Sequence, residues 1–85
     1  MPFDIMKAGS LTRKLLGARD AFDASRKVDN IQGMEAGLLG WSDAIDAMQA
    51  YREAECNFQQ GRVMDRHIND HSDEWIDANL AFLEF

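Results

Sequence analysis

The longest regular pattern of apolar residues lies between Asn30 and Gln60. Large side chains recur there every three or four residues, which places them on one side of an α-helix at about 100° per residue. The members of this row are Ile31, Met34, Leu38, Trp41, Ile45 and Met48. Polar residues, among them Asp43, Asp46 and Glu53, fall on the opposite side. The pattern predicts an amphipathic helix over residues 30–60.

Three glycines follow the same spacing on an adjacent side of this helix. Each glycine inside a helix lowers its stability by about 1 kcal/mol relative to alanine. The presence of Gly33, Gly37 and Gly40 therefore requires a structural explanation. Either the helix breaks near residues 40–42, with Ser42 as a new N-cap, or a neighbouring helix packs so closely that only hydrogen fits. We expect a continuous helix whose glycines form a groove for another helix.

The expected ends of this helix rest on local signals. Asp29 and Gln32 have the spacing of a capping box, which predicts a start near Asp29 or Asn30. Gly61 has the position of a residue that terminates a helix. These two signals give the bounds of 30–60.

A second apolar row precedes this helix. Leu11, Leu15, Ala18 and Phe22 are spaced for one side of a helix that Ser10 can cap. The row predicts a helix over residues 10–28.

A third helix is predicted over residues 62–84. Its second half carries a broad apolar arc. The members of the arc are Trp75, Ile76, Leu80, Phe82 and Leu83. Ser72, followed by two acidic residues, has the pattern of a helix start, so a break near residue 71 is an alternative. Together the patterns predict an all-α fold: one domain over residues 1–85, a small bundle of three helices, or four if one breaks.

Composition bounds the class of protein. The chain has 85 residues, 46% of them hydrophobic, and a single cysteine, Cys56. One cysteine cannot form an internal disulfide and suits a reducing compartment. The longest uncharged run in the middle of the chain, residues 36–42, is far shorter than the roughly 20 residues that span a bilayer. We therefore expect a soluble, cytoplasmic protein that does not enter membranes.

Charge is distributed unevenly along the chain. Residues 1–28 carry six basic and three acidic residues, residues 29–60 one and six, and residues 61–85 two and six, which sums to −6. The basic residues of the first helix are scattered around it, and their i,i+4 pairing with acids is a sufficient structural role. Binding to nucleic acid is therefore not expected. Acidity favours a protein partner with a basic surface, or serves solubility alone.

Two histidines lie on the apolar side of the third helix. His67 and His71 are one turn apart and could bind one metal ion, with Glu74 or Asp70 as a further ligand. The stretch between them lacks the glutamate of a catalytic zinc motif. Histidines at the margin of a core, hydrogen-bonded to neighbours, explain the pair as well.

The sequence contains no catalytic motif, so we expect neither an enzyme nor a cofactor. The leading hypothesis is a small acidic helical interaction module: an adaptor, inhibitor or regulator that binds a protein partner, with a homodimer through the glycine groove as one form. The candidate partner-binding residues are Gly33, Gly37, Gly40, Trp41, Asp43, Asp46, Glu53, Trp75, Phe82 and Phe85. The alternatives are a metal-binding or metal-sensing protein that uses His67, His71 and Glu74, and a structural subunit of a larger assembly.

Overall fold

The computed structural model describes residues 5–84, which form three helices and no β-strand. The helices are α1 (Ile5–Lys27), α2 (Ile31–Glu55) and α3 (Phe58–Glu84). α2 packs against both other helices, whereas α1 and α3 meet mainly through side chains. The predicted all-α bundle is confirmed, and α2 and α3 continue without a break near residues 40–42 and 71.

The first helix begins earlier than predicted. It starts at Ile5, and Ser10 lies inside it with an exposed side chain, so the prediction of Ser10 as the N-cap is wrong. Lys7 and Ala8 favour helix, and Ala8 also packs against the core. Ser10 has no Glu or Gln three residues later to complete a capping box, so it does not start a helix against these preferences.

α1 ends in a Schellman motif. The Asn30 N–H donates to the carbonyl of Ser25 at 2.9 Å, and the Asp29 N–H donates to the carbonyl of Arg26 at 3.3 Å. Asp29 has a φ of 57°, in the left-handed region that closes such motifs and that aspartate adopts more readily than most residues. Asp29 therefore belongs to the end of α1.

The residue that closes α1 cannot also cap α2, because an N-cap needs an extended backbone. Asn30 has that conformation, and its side-chain oxygen accepts a hydrogen bond from the Gly33 N–H at 3.0 Å. The predicted start near Asn30 is confirmed. The capping box through Asp29 and Gln32 is wrong.

α2 ends at Glu55 instead of residue 60 because a new helix begins directly after it. Asn57 and Gln60 form a reciprocal capping box: each side-chain oxygen accepts the backbone N–H of the other residue, at 2.9 and 3.0 Å. Gly61, the predicted end of α2, is buried inside α3. Ser72 is also interior to α3 and starts no helix.

The glycine row of α2 lies directly beneath α1. A Cβ atom on Gly37 would lie 2.8 Å from the backbone nitrogen of Phe22, closer than real Cβ contacts, and Gly33 similarly faces Ser25. Gly40 approaches α1 less closely. The predicted close packing of a second helix on this row is confirmed, and that helix is α1 of the same chain.

The buried side chains form two neighbouring clusters along α2. The larger contains Leu15, Trp41, Ala44, Ile45, Met48, Tyr51, Met64 and Ile68. The smaller contains Phe22, Met34 and Leu38. Trp75 and Ala78 of α3 pack against both clusters and connect them. All three helices thus share one continuous core.

Two contacts fix the antiparallel register of α2 and α3. Trp75 Nε1 donates to the carbonyl of Leu38 at 3.2 Å. At the other end of the pair, the Arg52 guanidinium donates to both carboxylate oxygens of Asp65 at 2.9 and 3.1 Å, and this bond pattern raises the pKa of Arg52. The beginning of α2 therefore lies beside the end of α3.

Several large apolar side chains of the described residues remain exposed. They are Met6, Val28, Ile31, Leu39, Phe58, Val63, Ile76, Leu80 and Leu83. None of the helices within residues 5–84 has the length and apolarity needed to cross a membrane. Because isolated apolar side chains are normal on protein surfaces, only those that share a face are informative.

Candidate functional site

The glycines predicted to bind a partner are covered by another helix of the same chain. α1 lies on Gly33 and Gly37, and Gly40 contacts it at the margin. A second copy cannot use the same row while α1 is packed there. A homodimer through the glycine groove is therefore incompatible with this fold.

Three of the four predicted aromatic contact residues lie in the core or pack against it. Trp41 is only 2% exposed, so it cannot contact a partner, and its assignment to the binding surface is wrong. Trp75 is half-buried, with its indole N–H bonded to α2, and Phe82 packs against the smaller cluster. Phe85 lies outside the described residues. The apolar surface consequently lies elsewhere.

The acidic candidates occupy the outer side of α2. Asp43, Asp46 and Glu53 are all exposed, as the amphipathic pattern predicts. They lie away from both α1 and α3, since the sides of α2 that face those helices are filled by core residues. They contribute to the negative surface, and Glu53 also lines a cavity together with Arg52 and Asp65.

One side of α3 carries a contiguous row of exposed apolar side chains. Ile76, Leu80 and Leu83 are spaced four and three residues apart, which places them on one face. Their side chains are 49%, 55% and 78% exposed. We call these three residues the apolar stripe. The apolar arc predicted from the sequence is therefore divided: Trp75 and Phe82 turn inward, and the stripe faces solvent.

The apolar stripe lies on the side of α3 that points away from α1. His67 and Glu74, on another side of α3, contact α1. Asp65, which contacts α2, is eleven residues before Ile76, or about three turns, and so lies on nearly the same side as the stripe. The stripe thus borders the shared surface of α2 and α3.

Ile31 extends this surface from the neighbouring helix. In the antiparallel register Leu38 lies beside Trp75, so Ile31, seven residues earlier, lies beside Phe82, seven residues later. Ile31 is 54% exposed, and the register places it beside the end of α3 that carries the stripe. We call Ile31 and the apolar stripe together the α2–α3 face.

Acidic residues border the α2–α3 face on both sides. Glu35 is one turn after Ile31 on α2, and Asp77 and Glu84 are three residues before and four residues after Leu80 on α3; all three are exposed. Residues 31–51 and 67–84 together contain eight acidic residues and no Lys or Arg. The basic residues are concentrated in α1. The face is therefore apolar in its centre and negative at its edges.

No family model, curated protein or solved structure matches this chain. The chemistry of the α2–α3 face must therefore be interpreted from its own residues. An apolar centre with an acidic border is suited to binding a macromolecule that is itself apolar and basic.

The two histidines proposed as metal ligands lie side by side, with ring centroids 4.4 Å apart. His67 Nε2 is 3.2 Å from Thr12 Oγ1. The Thr12 hydroxyl donates to the carbonyl of Ala8 at 3.0 Å, so it accepts a hydrogen bond from the His67 Nε2–H. His67 therefore links α3 to α1.

His71 has a different partner. Its Nδ1 atom is 3.2 Å from Glu74 Oε2, which also accepts a hydrogen bond from Arg19 of α1 at 3.3 Å. Partial burial acts to raise the pKa of Glu74, but the hydrogen bonds from His71 and Arg19 outweigh it, and the pKa is lowered. Among residues 5–84 no three His, Cys, Asp or Glu side chains are arranged to hold a metal ion. His67 and Glu74 instead connect α3 to α1, and His71 bonds to Glu74 within α3.

The environment of His67 predicts how stability responds to pH. Burial and the neighbouring His71 lower the pKa of His67, although Asp70 acts in the opposite direction. The unfolded chain therefore binds a proton more readily than the folded protein as the pH falls through about 6.5. The stabilising contribution of neutral His67 is fully present above that pH and is lost below it.

We expect the free energy of unfolding to decrease between pH 7.5 and pH 5.5, and to decrease less in a His67→Gln variant. Urea unfolding of both proteins at several pH values measures this difference. The other titratable groups are common to the two proteins, so the comparison isolates His67. Parallel pH profiles for the two proteins would show that His67 is equally easy to protonate in both states.

Proposed function

We propose that this protein is a small acidic interaction module, an adaptor, inhibitor or regulator that acts by binding a protein partner with a basic surface. The observation that carries the proposal is the apolar stripe of Ile76, Leu80 and Leu83, which remains exposed beside acidic residues. A contiguous apolar surface with a charged border is typical of protein-interaction sites.

Covering the α2–α3 face would be favourable. Complete burial of an exposed Leu or Ile side chain contributes about 1.5–3 kcal/mol. The four side chains of the face each retain about half or more of their exposure. Association itself costs at least about 4 kcal/mol in lost freedom, so a stable complex requires most of the face together with its border.

Charge supports a protein partner over a nucleic acid or an anionic membrane. The acidic border repels phosphate groups, whereas the binding of nucleic acids and anionic lipids depends on Lys and Arg. The same border attracts a basic protein surface and increases the rate of encounter.

The proposal assigns no enzymatic activity. Cys56 is the one cysteine of the chain, and burial is the main cause that raises the pKa of its thiol. A thiol with a raised pKa stays protonated at neutral pH and is a poor nucleophile. Cys56 therefore adds no support for a catalytic role.

The proposal is tested by affinity capture from extract of the source organism, followed by mass spectrometry. We expect Leu80→Gln to abolish capture of the partner, because it removes the central apolar side chain without changing the charge. Val63→Gln is the matched control: Val63 is 67% exposed on the same helix, about 25 Å from Leu80 along the axis. Equal capture by both variants and the wild type, or no specific capture at all, would refute the proposal.

A further inference from the structure

We infer that the α2–α3 face binds an amphipathic α-helix that carries Lys or Arg on both flanks of its apolar side. This inference rests on the proposed function and specifies the partner. It is carried by the shape of the exposed surface, by the backbone around it and by the position of the acidic residues.

The shape of the surface matches a helix. The stripe from Ile76 to Leu83 is about 10 Å long at 1.5 Å per residue, and Ile31 of α2 adds a second row beside it. Two adjacent helices with exposed apolar residues between them form a shallow groove. A third helix fits such a groove by inserting its own apolar side chains at spacings of three and four residues.

The surface is not suited to a peptide bound as an extended strand or as a polyproline segment. Addition of an extended strand needs an exposed sheet edge, and residues 5–84 contain no strand. Grooves that bind polyproline segments are lined with aromatic rings, whereas the exposed residues of this face are Ile and Leu. A helix is the remaining regular form, because it satisfies its own backbone hydrogen bonds.

The acidic residues specify the charge of the helix and its distribution. Glu35 lies on the α2 side of the face, and Asp77 and Glu84 lie on the α3 side. Residues 31–51 and 67–84 contain no Lys or Arg. The basic residues nearest to this border are Arg19 and Arg26 of α1, which line a cavity together with Asp77. A helix lying in the groove therefore meets negative charge on both flanks, and basic residues on both flanks complement it.

The same charges disfavour a second copy of this chain as the occupant. A symmetric dimer through this face would place two acidic borders against each other, which is unfavourable. Six of the nine basic residues of a second copy lie on α1, and the apolar side of α1 is already packed on α2. Arg52 is paired with Asp65 of its own chain, and Arg62 and Arg66 lie at the beginning of α3. A separate basic helix has neither disadvantage.

The inference is tested with three fluorescent peptides of about 18 residues. The first has Leu at helical spacing with Lys and Arg on both flanks, the second has Glu in place of every Lys and Arg, and the third is the first with its residues shuffled to remove the apolar side. Fluorescence anisotropy measures the affinity of each peptide for the full chain. We expect the basic amphipathic peptide to bind at least about tenfold more tightly than either of the others.

Variants of the protein locate the binding. Leu80→Gln is expected to weaken binding of the basic peptide by at least about tenfold, and Val63→Gln to change it by less than about twofold. Asp77→Asn with Glu84→Gln is expected to weaken binding in about 0.15 M salt and to reduce its salt dependence. Circular dichroism and urea unfolding establish that each variant retains the fold.

The outcomes separate this inference from the proposed function. Equal binding of the basic and shuffled peptides means attraction by charge alone and overturns the inference, as does equal binding of the acidic peptide. Self-association of the free chain that Leu80→Gln abolishes also overturns it, because a second copy then occupies the face. If no peptide binds but capture from extract still depends on Leu80, the inference fails and the proposed function stands.

Discussion

Replacing Trp41 with alanine is expected to lower the free energy of unfolding by about 3–5 kcal/mol. The side chain is 2% exposed and lies in the larger core cluster between α1 and α3. Alanine would leave a cavity that the surrounding helices can fill only in part. A domain of this length has a total stability of about 4–13 kcal/mol, so the variant would lose a large part of it. Urea unfolding followed by circular dichroism measures the change.

Leu39→Ala is the control for this experiment. Leu39 is two residues before Trp41 on the same helix but is 61% exposed, and its truncation is expected to change stability by less than about 0.5 kcal/mol. Similar small losses for both variants would mean that Trp41 lies at the surface, where a partner could contact it.

The second large effect is expected from Gly37→Ala, which should destabilise the protein by about 1–3 kcal/mol. A Cβ atom at this position would lie 2.8 Å from the backbone nitrogen of Phe22 and 2.9 Å from its Cα. Backbone atoms of a packed helix cannot move independently, so α1 must shift away from α2. This cost exceeds the gain of about 1 kcal/mol from the higher helix propensity of alanine.

The same change at Gly17 is expected to act in the opposite direction. Gly17 is an interior residue of α1, and a Cβ atom there would meet nothing within 4 Å. Alanine should therefore stabilise the protein by about 0.5–1 kcal/mol through helix propensity. Thermal or urea unfolding of the two variants gives the comparison. Stabilisation by both changes would show that α1 does not pack on the glycine row.

The fold could be predicted from the sequence because each of the three segments carries apolar residues at helical spacing. Met34, Leu38, Trp41 and Met48 were predicted to share one side of α2, and all are buried. Ile31 belongs to the same row but is exposed at the beginning of α2. The row alone does not indicate how far the neighbouring helices extend along α2.

The helix ends were less predictable because several residues compete to cap them. Asp29 and Asn30 are both suitable N-cap residues, and the choice depends on which of them closes α1 in the left-handed region. Asn57 and Gln60 form a capping box, but both lie within residues 30–60, the range predicted for α2 with Gly61 as its end. Where several residues could each cap a helix, the packing of the helices determines which of them does.

The candidate site was predicted only in part. The acidic outer side of α2 and the apolar arc of α3 follow from the sequence, whereas the division of that arc does not. Trp75 turns toward Leu38, and Phe82 turns toward the smaller core cluster. The apolar stripe therefore remains exposed to solvent. Which residues of a wide arc face inward depends on where α2 lies, and periodicity within α3 cannot give that position.

We propose that the uncovered α2–α3 face is the binding surface of this protein. Titration of the ¹⁵N-labelled chain with the basic amphipathic peptide, followed through its backbone amide resonances, measures where the peptide binds. We expect the largest shifts in residues 31–38 and 72–84, with small shifts along the outer side of α1. Largest shifts in α1, or no shifts at peptide concentrations that saturate a micromolar site, would contradict this proposal.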